Sequence, residues 1–177
     1  MKGILHKYSD VHSHSLSAAT RGDTVVSISP GTPMEEGGVY SVGIHPWDTS
    51  SPVTLTMLKN LVKAARDPRT VAVGECGIDR LRGGDTALQQ RIFEFHARLA
   101  ERTGKPLIIH NVRADDLIAA SMRRISPSQE WIIHGFRGKP ERLKALLKTG
   151  FSFSLGPDAP EELTKLIPPE RLYRETD

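Results

Sequence analysis

Two histidines one residue apart, in Asp10-Val11-His12-Ser13-His14, are the first place where this chain offers chemistry. On extended backbone, residues i and i+2 project from the same side, so two imidazoles can grip one cation. Other side chains of metal-ligand type end later apolar runs. Glu75 follows Val71-Ala72-Val73-Gly74, His110 follows Leu107-Ile108-Ile109, His134 follows Trp131-Ile132-Ile133, and Asp177 closes Leu172-Tyr173-Arg174-Glu175-Thr176. If these runs are parallel strands, their ends open on one face and the ligands converge there. His12, His14, His110 and His134 with Glu75 and Asp177 exceed what one tetrahedral ion needs, which suggests two divalent ions bridged by Glu75. Imidazole-rich ligation favours Zn or Mn, while the carboxylates leave Mg open. Such ions acidify a bound water and clamp attacking and leaving oxygens, with Asp177 the candidate general base.

Cations surround these positions: Arg80 and Arg82 after Gly77-Ile78-Asp79, Arg113 after His110, and Arg137 with Lys139 after His134. Arginine presents a planar fork to phosphate oxygens, so the arrangement suits a phosphate-bearing substrate; Asp79, Asp115 and Asp116 partly offset the charge. His45, in Gly43-Ile44-His45-Pro46-Trp47, is assigned to substrate contact, with packing against Trp47 as the alternative. His6, His96 and Cys76 read as structural or surface residues, Cys76 pointing away from Glu75 into barrel packing.

The elements that must position these groups alternate regularly. Short apolar or β-branched runs at Thr24–Ile28, Val39–Ile44, Thr70–Gly74, Pro106–Ile109, Glu130–Ile133 and Phe151–Leu155, with weaker ones at Ile4–Val11 and Arg171–Glu175, make eight strands. Helical spacing marks Leu55–Arg66, Thr86–Thr103, Ala114–Arg124 and Pro140–Thr149, with a short helix at Pro160–Ile167. Thr86 with Gln89 is expected to form a capping box. Strand–helix alternation of this kind predicts a parallel (β/α)8 barrel of α/β class in a single domain, residues 1–177. Full barrels run to about 250 residues. The segments Ser15–Asp23 and Gly31–Gly38 are short and rich in Gly, Pro and Ser, so the barrel is expected to be reduced, lacking outer helices beside strands one, two and eight. The outer faces there should be bare, offering an oligomer contact, or unusually polar.

Composition narrows the class. The 177 residues are 38% apolar and 25% charged, which excludes disorder and collagen-like repeats, and 24 Lys+Arg against 21 Asp+Glu leave room for an anionic partner. One cysteine excludes an internal disulfide and any Cys-x-x-Cys metal site. No apolar run approaches membrane-spanning length and Met1–Asp10 lacks the core of a secretory signal, so the expectation is a cytoplasmic protein without membrane contact.

Taken together, Asp10–His14, Gly43-Ile44-His45-Pro46, Val73–Asp79, Pro106–His110, Ile133–Gly138 and Glu175-Thr176-Asp177 resemble, in order, the motifs of the TatD family of metal-dependent deoxyribonucleases within the amidohydrolase-like barrels. The resemblance implies a (β/α)8 fold, a binuclear site at His12, His14, Glu75, His110, His134 and Asp177, and hydrolysis of phosphodiester bonds in DNA, commonly as an exonuclease. The chain differs from the family pattern at Trp47, where members usually carry His, and at Asn111-Val112-Arg113. It also stops at Asp177, ahead of the turn and last helix of family members. Competing readings are a PHP-type phosphomonoesterase, disfavoured by the Gly-Glu-Cys-Gly-Ile-Asp and Glu-Thr-Asp segments; a related barrel cleaving C–N or carboxylic ester bonds, disfavoured by the arginines; and a metal-binding protein without turnover.

Overall fold

The computed structural model describes residues 3–177. Eight strands lie side by side in chain order, each parallel to the next: β1 (Asp10–Ser13), β2 (Thr24–Ile28), β3 (Tyr40–Val42), β4 (Thr70–Asp79), β5 (Leu107–Val112), β6 (Trp131–Ile133), β7 (Ser152–Leu155) and β8 (Leu172–Arg174). Seven ladders join consecutive strands. The Thr176 N–H donates to the His12 carbonyl at 3.3 Å just beyond β8, which draws the last strand to the first and nearly closes the barrel.

Helices α1 (Leu55–Ala65), α2 (Thr86–Thr103), α3 (Asp115–Ile125), α4 (Pro140–Thr149) and α5 (Glu161–Leu166) occupy the connections from β3 onward. As expected, no α-helix lies between β1 and β2 or between β2 and β3 among the described residues. The weak first strand is shifted from its expected place, because Ile4–Lys7 forms a 3-10 turn whose Leu5 is fully buried, and β1 begins only at Asp10. The fourth strand is longer than expected and carries the Gly74–Asp79 motif within it.

The predicted bare outer face is corrected for the first two strands. All four residues of β1 are buried, and Val26 and Ile28 of β2 pack in one apolar cluster with Ala18 and Ala19 of the 3-10 turn Leu16–Arg21. Two small alanines on a tight turn approach the sheet closely enough to do a helix's work.

Period-2 alternation sorts the strand residues into two sets. Leu107 and Ile109, Trp131 and Ile133, and Phe153 and Leu155 join Phe93, Ala97, Leu143 and Leu146 of the helices in the larger cluster. Ile108, Ile132, Val25, Ala72 and Tyr173 form a second cluster on the opposite face. His110 and His134 fall two residues beyond Ile108 and Ile132, so they continue that second face past its apolar layer.

The helix α2 does more than cover the sheet. Its cap is Asp85, whose carboxylate accepts from the Leu88 N–H at 3.2 Å, so the expected Thr86–Gln89 capping box is not formed. Gln89 is buried and reaches into the β4–α2 loop, accepting from the Asp79 N–H at 2.8 Å and donating to the Asp79, Arg82 and Gly84 carbonyls. His96, fully buried on the same helix, accepts the Ile44 N–H at 2.9 Å and donates from Nδ1 to the Ile92 carbonyl at 2.7 Å. That bond pins the backbone next to His45.

Two measurements test this framework. Burial pushes the His96 imidazole from 6.5 down to about 4, so it stays neutral in the fold while the unfolded chain protonates near its ordinary value. Between pH 6.5 and about 4 the unfolded state therefore binds the extra proton, and stability should fall as pH drops through this window by about 3 kcal/mol. Denaturant unfolding across that range should show the slope in the wild type and a flatter profile in His96→Gln. Gly43 is the second point: a Cβ there would lie 2.1 Å from the Glu75 carbonyl oxygen, so β4 must shift. Gly43→Ala should lower stability by about 1–3 kcal/mol in thermal or denaturant unfolding and weaken divalent-metal affinity by displacing Glu75.

Candidate metal centre

Glu75 lies on β4 with its side chain nearly buried, and imidazoles from four other segments close on its carboxylate. Nε2 of His12 and of His14 stand 3.3 and 3.2 Å from Oε2. Nε2 of His45, Nδ1 of His110 and Nε2 of His134 stand 2.9, 2.9 and 2.8 Å from Oε1. Asp177 reaches the same group, with Oδ1 3.3 Å from His14 and 3.8 Å from His12. The six residues expected to hold metal are thus neighbours, and His45 joins them.

The close approaches have a local cause. Beside Gly43, a Cβ at Gly74 would lie 2.4 Å from the Ile108 carbonyl oxygen, and at φ +130 only glycine sits there comfortably. Glycines on both flanks of Glu75 let β3 and β5 crowd β4 at that point.

Neighbouring groups settle the ring nitrogens. His110 Nε2 lies 3.1 Å from Asp79 Oδ2, and an ionised carboxylate only accepts, so the proton is on Nε2 and the Nδ1 lone pair faces the centre. His45 is the reverse: its Nδ1 accepts the Trp47 N–H at 3.1 Å, which leaves the proton on Nε2, aimed at Glu75. Geometry alone groups His45, Glu75 and His110 as possible ligands of one ion, but the capped Nδ1 makes His45 a hydrogen-bond donor. Both ring nitrogens of buried His12, and Nδ1 of His134, have no hydrogen-bond partner among the described residues.

This donor set fits divalent cations. One carboxylate cannot satisfy five imidazoles; lone pairs facing it, and orphaned nitrogens on a buried ring, call for positive charge between them. Compatible triads are His12, His14 and Asp177, and His12, Glu75 and His134. The electrostatics agree: burial and the neighbouring His134 push His12 down, whereas the hydrogen bond to Glu75 raises His14. Burial would push Glu75 up, but the imidazoles of His110, His12, His134 and His14 crowded around its carboxylate outweigh it and hold it far below the usual carboxylate range.

A cleft of about 410 Å³ opens on the centre, lined by His14, His45, Glu75, His110, His134 and Asp177 together with Ser27, Ser29, Trp47 and Asp48. The expected phosphate-contacting arginines are not in its lining. Arg80 is bound to Asp116 at 2.8 Å and to the Arg113 carbonyl at 2.9 Å. The Arg82 guanidinium lies 4.7 Å over the Trp47 ring, and Arg113 and Arg137 are exposed.

Three supporting residues escaped the sequence analysis. Asp79 is no loop counter-charge: it is buried, takes the Trp47 indole N–H at 2.7 Å as well as His110, and is held below the usual carboxylate range because these bonds outweigh burial. Buried Glu175 accepts from Ser154 and lies 3.8 Å from His134 Nδ1, and buried Asp10 takes the His12 N–H at 3.1 Å and the Thr176 hydroxyl. The i, i+2 spacing that pairs His12 with His14 also pairs Asp10 with His12 and Glu175 with Asp177, and that signal could have found the last two.

Residues 4–177 match the family model described as TatD related DNase. An uncharacterized metal-dependent hydrolase TatD of Mycobacterium tuberculosis is 33% identical over 153 residues, covering 78% of this chain and 58% of that protein. A 3'-5' ssDNA/RNA exonuclease TatD of Edwardsiella piscicida is 33% identical over 150 residues, covering 79% of this chain and 55% of that protein. The chain therefore spans a little over half the length of these relatives. The crystal structure of YjjV, a TatD homologue of Escherichia coli K12, superposes with a TM-score of 0.77 at 23% identity over 98% of this chain and 80% of that one, which shows the shared barrel. From residue 4 to residue 177, the chain belongs to the TatD-related DNase family.

Proposed function

We propose that the chain is a single metal-dependent hydrolase domain that cleaves phosphodiester bonds of nucleic acid, DNA foremost, at a centre of two divalent ions. The observation that carries the reading is the crowding of five imidazoles on Glu75 at the floor of an open cleft, the His110 lone pair facing it and the ring nitrogens of His12 left orphaned. Relatives named as single-stranded DNA/RNA exonuclease and as RNA nuclease support the substrate class. The residues that would hold the ions are His12, His14, Glu75, His110, His134 and Asp177. Zn, Mn and Mg are the candidates, and bound there they would neutralise phosphate charge and make a water acidic enough to attack at neutral pH.

The chain's own groups then have separable tasks. Asp177 is 36% exposed at the cleft, unlike buried Glu75, so its carboxylate can meet a water and take its proton. Asp79 holds the ring of His110 in orientation through a hydrogen bond, while Glu175, 3.8 Å from Nδ1 of His134, adds negative charge beside that ring. His45 keeps its proton on Nε2 at the cleft wall, which suits donation to a substrate oxygen as well as to Glu75. Arg82, Arg113 and Arg137 lie outside the lining and suit flanking phosphates, whereas Arg80 is already neutralised by Asp116.

The test is metal analysis paired with turnover of single-stranded DNA, a phosphomonoester and an N-acyl amide. Metal-loaded wild type should cleave the DNA, lose activity on chelation and regain it on adding Mn or Zn; turnover of the monoester or amide alone would replace the reading with one of those activities, and no turnover would leave a metal-binding protein. Asp177→Asn should lower kcat by about 10²–10⁴-fold while retaining at least one ion. Glu75→Ala should lose both ions and activity together, measured by metal content and kinetics on the same samples.

A further inference from the structure

Trp47 is an unusual side chain to find at a polar cleft. It is 43% exposed, yet it is fixed from three directions: its indole N–H donates to buried Asp79 at 2.7 Å, its backbone N–H donates to His45, and Arg82 lies 4.7 Å over its ring. The turn that carries it, Pro46–Ser50, is tied down by the Thr49 hydroxyl, which donates to the Pro46 carbonyl at 2.6 Å and accepts the Gly84 N–H at 3.0 Å. The ring centre stands 4.7 Å from that of His45 and 5.8 Å from that of His110. A flat π surface is thus held rigid in the cleft wall, beside the atoms that would meet the scissile phosphate, with a cation over one of its faces.

We propose that Trp47 is the platform on which a nucleobase next to the scissile phosphate stacks, making it a specificity-determining residue for single-stranded substrates. The proposal rests on the nuclease reading above. Stacking on an indole is tolerant of base identity, because every base has a π face, and it requires an unpaired base; Arg82 supplies charge for the adjoining backbone. Immobilising the indole before substrate arrives removes its ordering cost from binding.

Binding without turnover tests the platform directly. Trp131 is only 1% exposed, so fluorescence quenching by an added oligonucleotide reports on Trp47. Metal-free protein in chelator, titrated with oligothymidylate and with the same strand carrying abasic sites, should be quenched by the first and bind the second about tenfold more weakly. Anisotropy of labelled strands should show the discrimination lost in Trp47→Ala and partly kept in Trp47→Phe, which retains a ring but not the bond to Asp79. Equal affinity of wild type for the two strands, or full discrimination in Trp47→Ala, would overturn the platform. Quenching and discrimination without cleavage by the metal-loaded protein would support the platform while removing the nuclease reading; cleavage without discrimination would remove the platform alone.

Discussion

One buried carboxylate sets the terms for everything around it. Glu75 is almost without solvent, and five imidazole nitrogens stand 2.8–3.3 Å from its two oxygens. Burying that charge is tolerable only with positive charge or donors close by. Nitrogens whose lone pairs face it are tolerable only with a cation between. The cluster is therefore poorly satisfied by protein alone, and the residues suited to holding ions are the same ones that the barrel brings together from its first strand to a residue beyond its last.

That crowding is sustained by a second tier that makes no approach to Glu75. Gln89 ties the backbone of Asp79 to α2, Asp79 orients His110, His96 holds the strand end before His45, and Asp10 links the His12 backbone to the Thr176 hydroxyl. Each couples a loop or strand end to a different regular element. Positioning at the strand ends thus depends on polar contacts across the barrel, while the apolar clusters supply cohesion without selecting the position of any one ring.

Charge around the cleft is organised rather than merely basic. Arg80 with Asp116 and Arg142 with Asp115 are internally matched, so the formal excess of +3 says little about the site. What distinguishes the mouth is an aromatic ring held in place beside His45 and His110, with the Arg82 guanidinium over it. Such a surface would suit the proposed substrate, since an unstacked nucleotide presents flatness and charge together.

Much of this was legible beforehand because the relevant signals are local. Continuous apolar runs ending in His or Glu mark buried parallel strands whatever surrounds them, and Gly104 and Gly150 stop helices by their own backbone freedom. The roles of Asp79 and Gln89 were not legible, since a loop aspartate and an N-terminal glutamine have cheaper local explanations, as a solvated charge and a capping box. So too the covering of β2 by Ala18 and Ala19, which carry no amphipathic pattern. The linear order of residues by itself determined which side chains can bind cations, how the strands alternate with helices, and that the ligands share one rim, because these follow from residue chemistry and backbone period. Only the tertiary structure decided which nitrogen of His45 and His110 keeps its proton, which arginines are already paired, and that Trp47 stands in the cleft wall. Those outcomes depend on distances between segments far apart in the chain, and no local pattern encodes them.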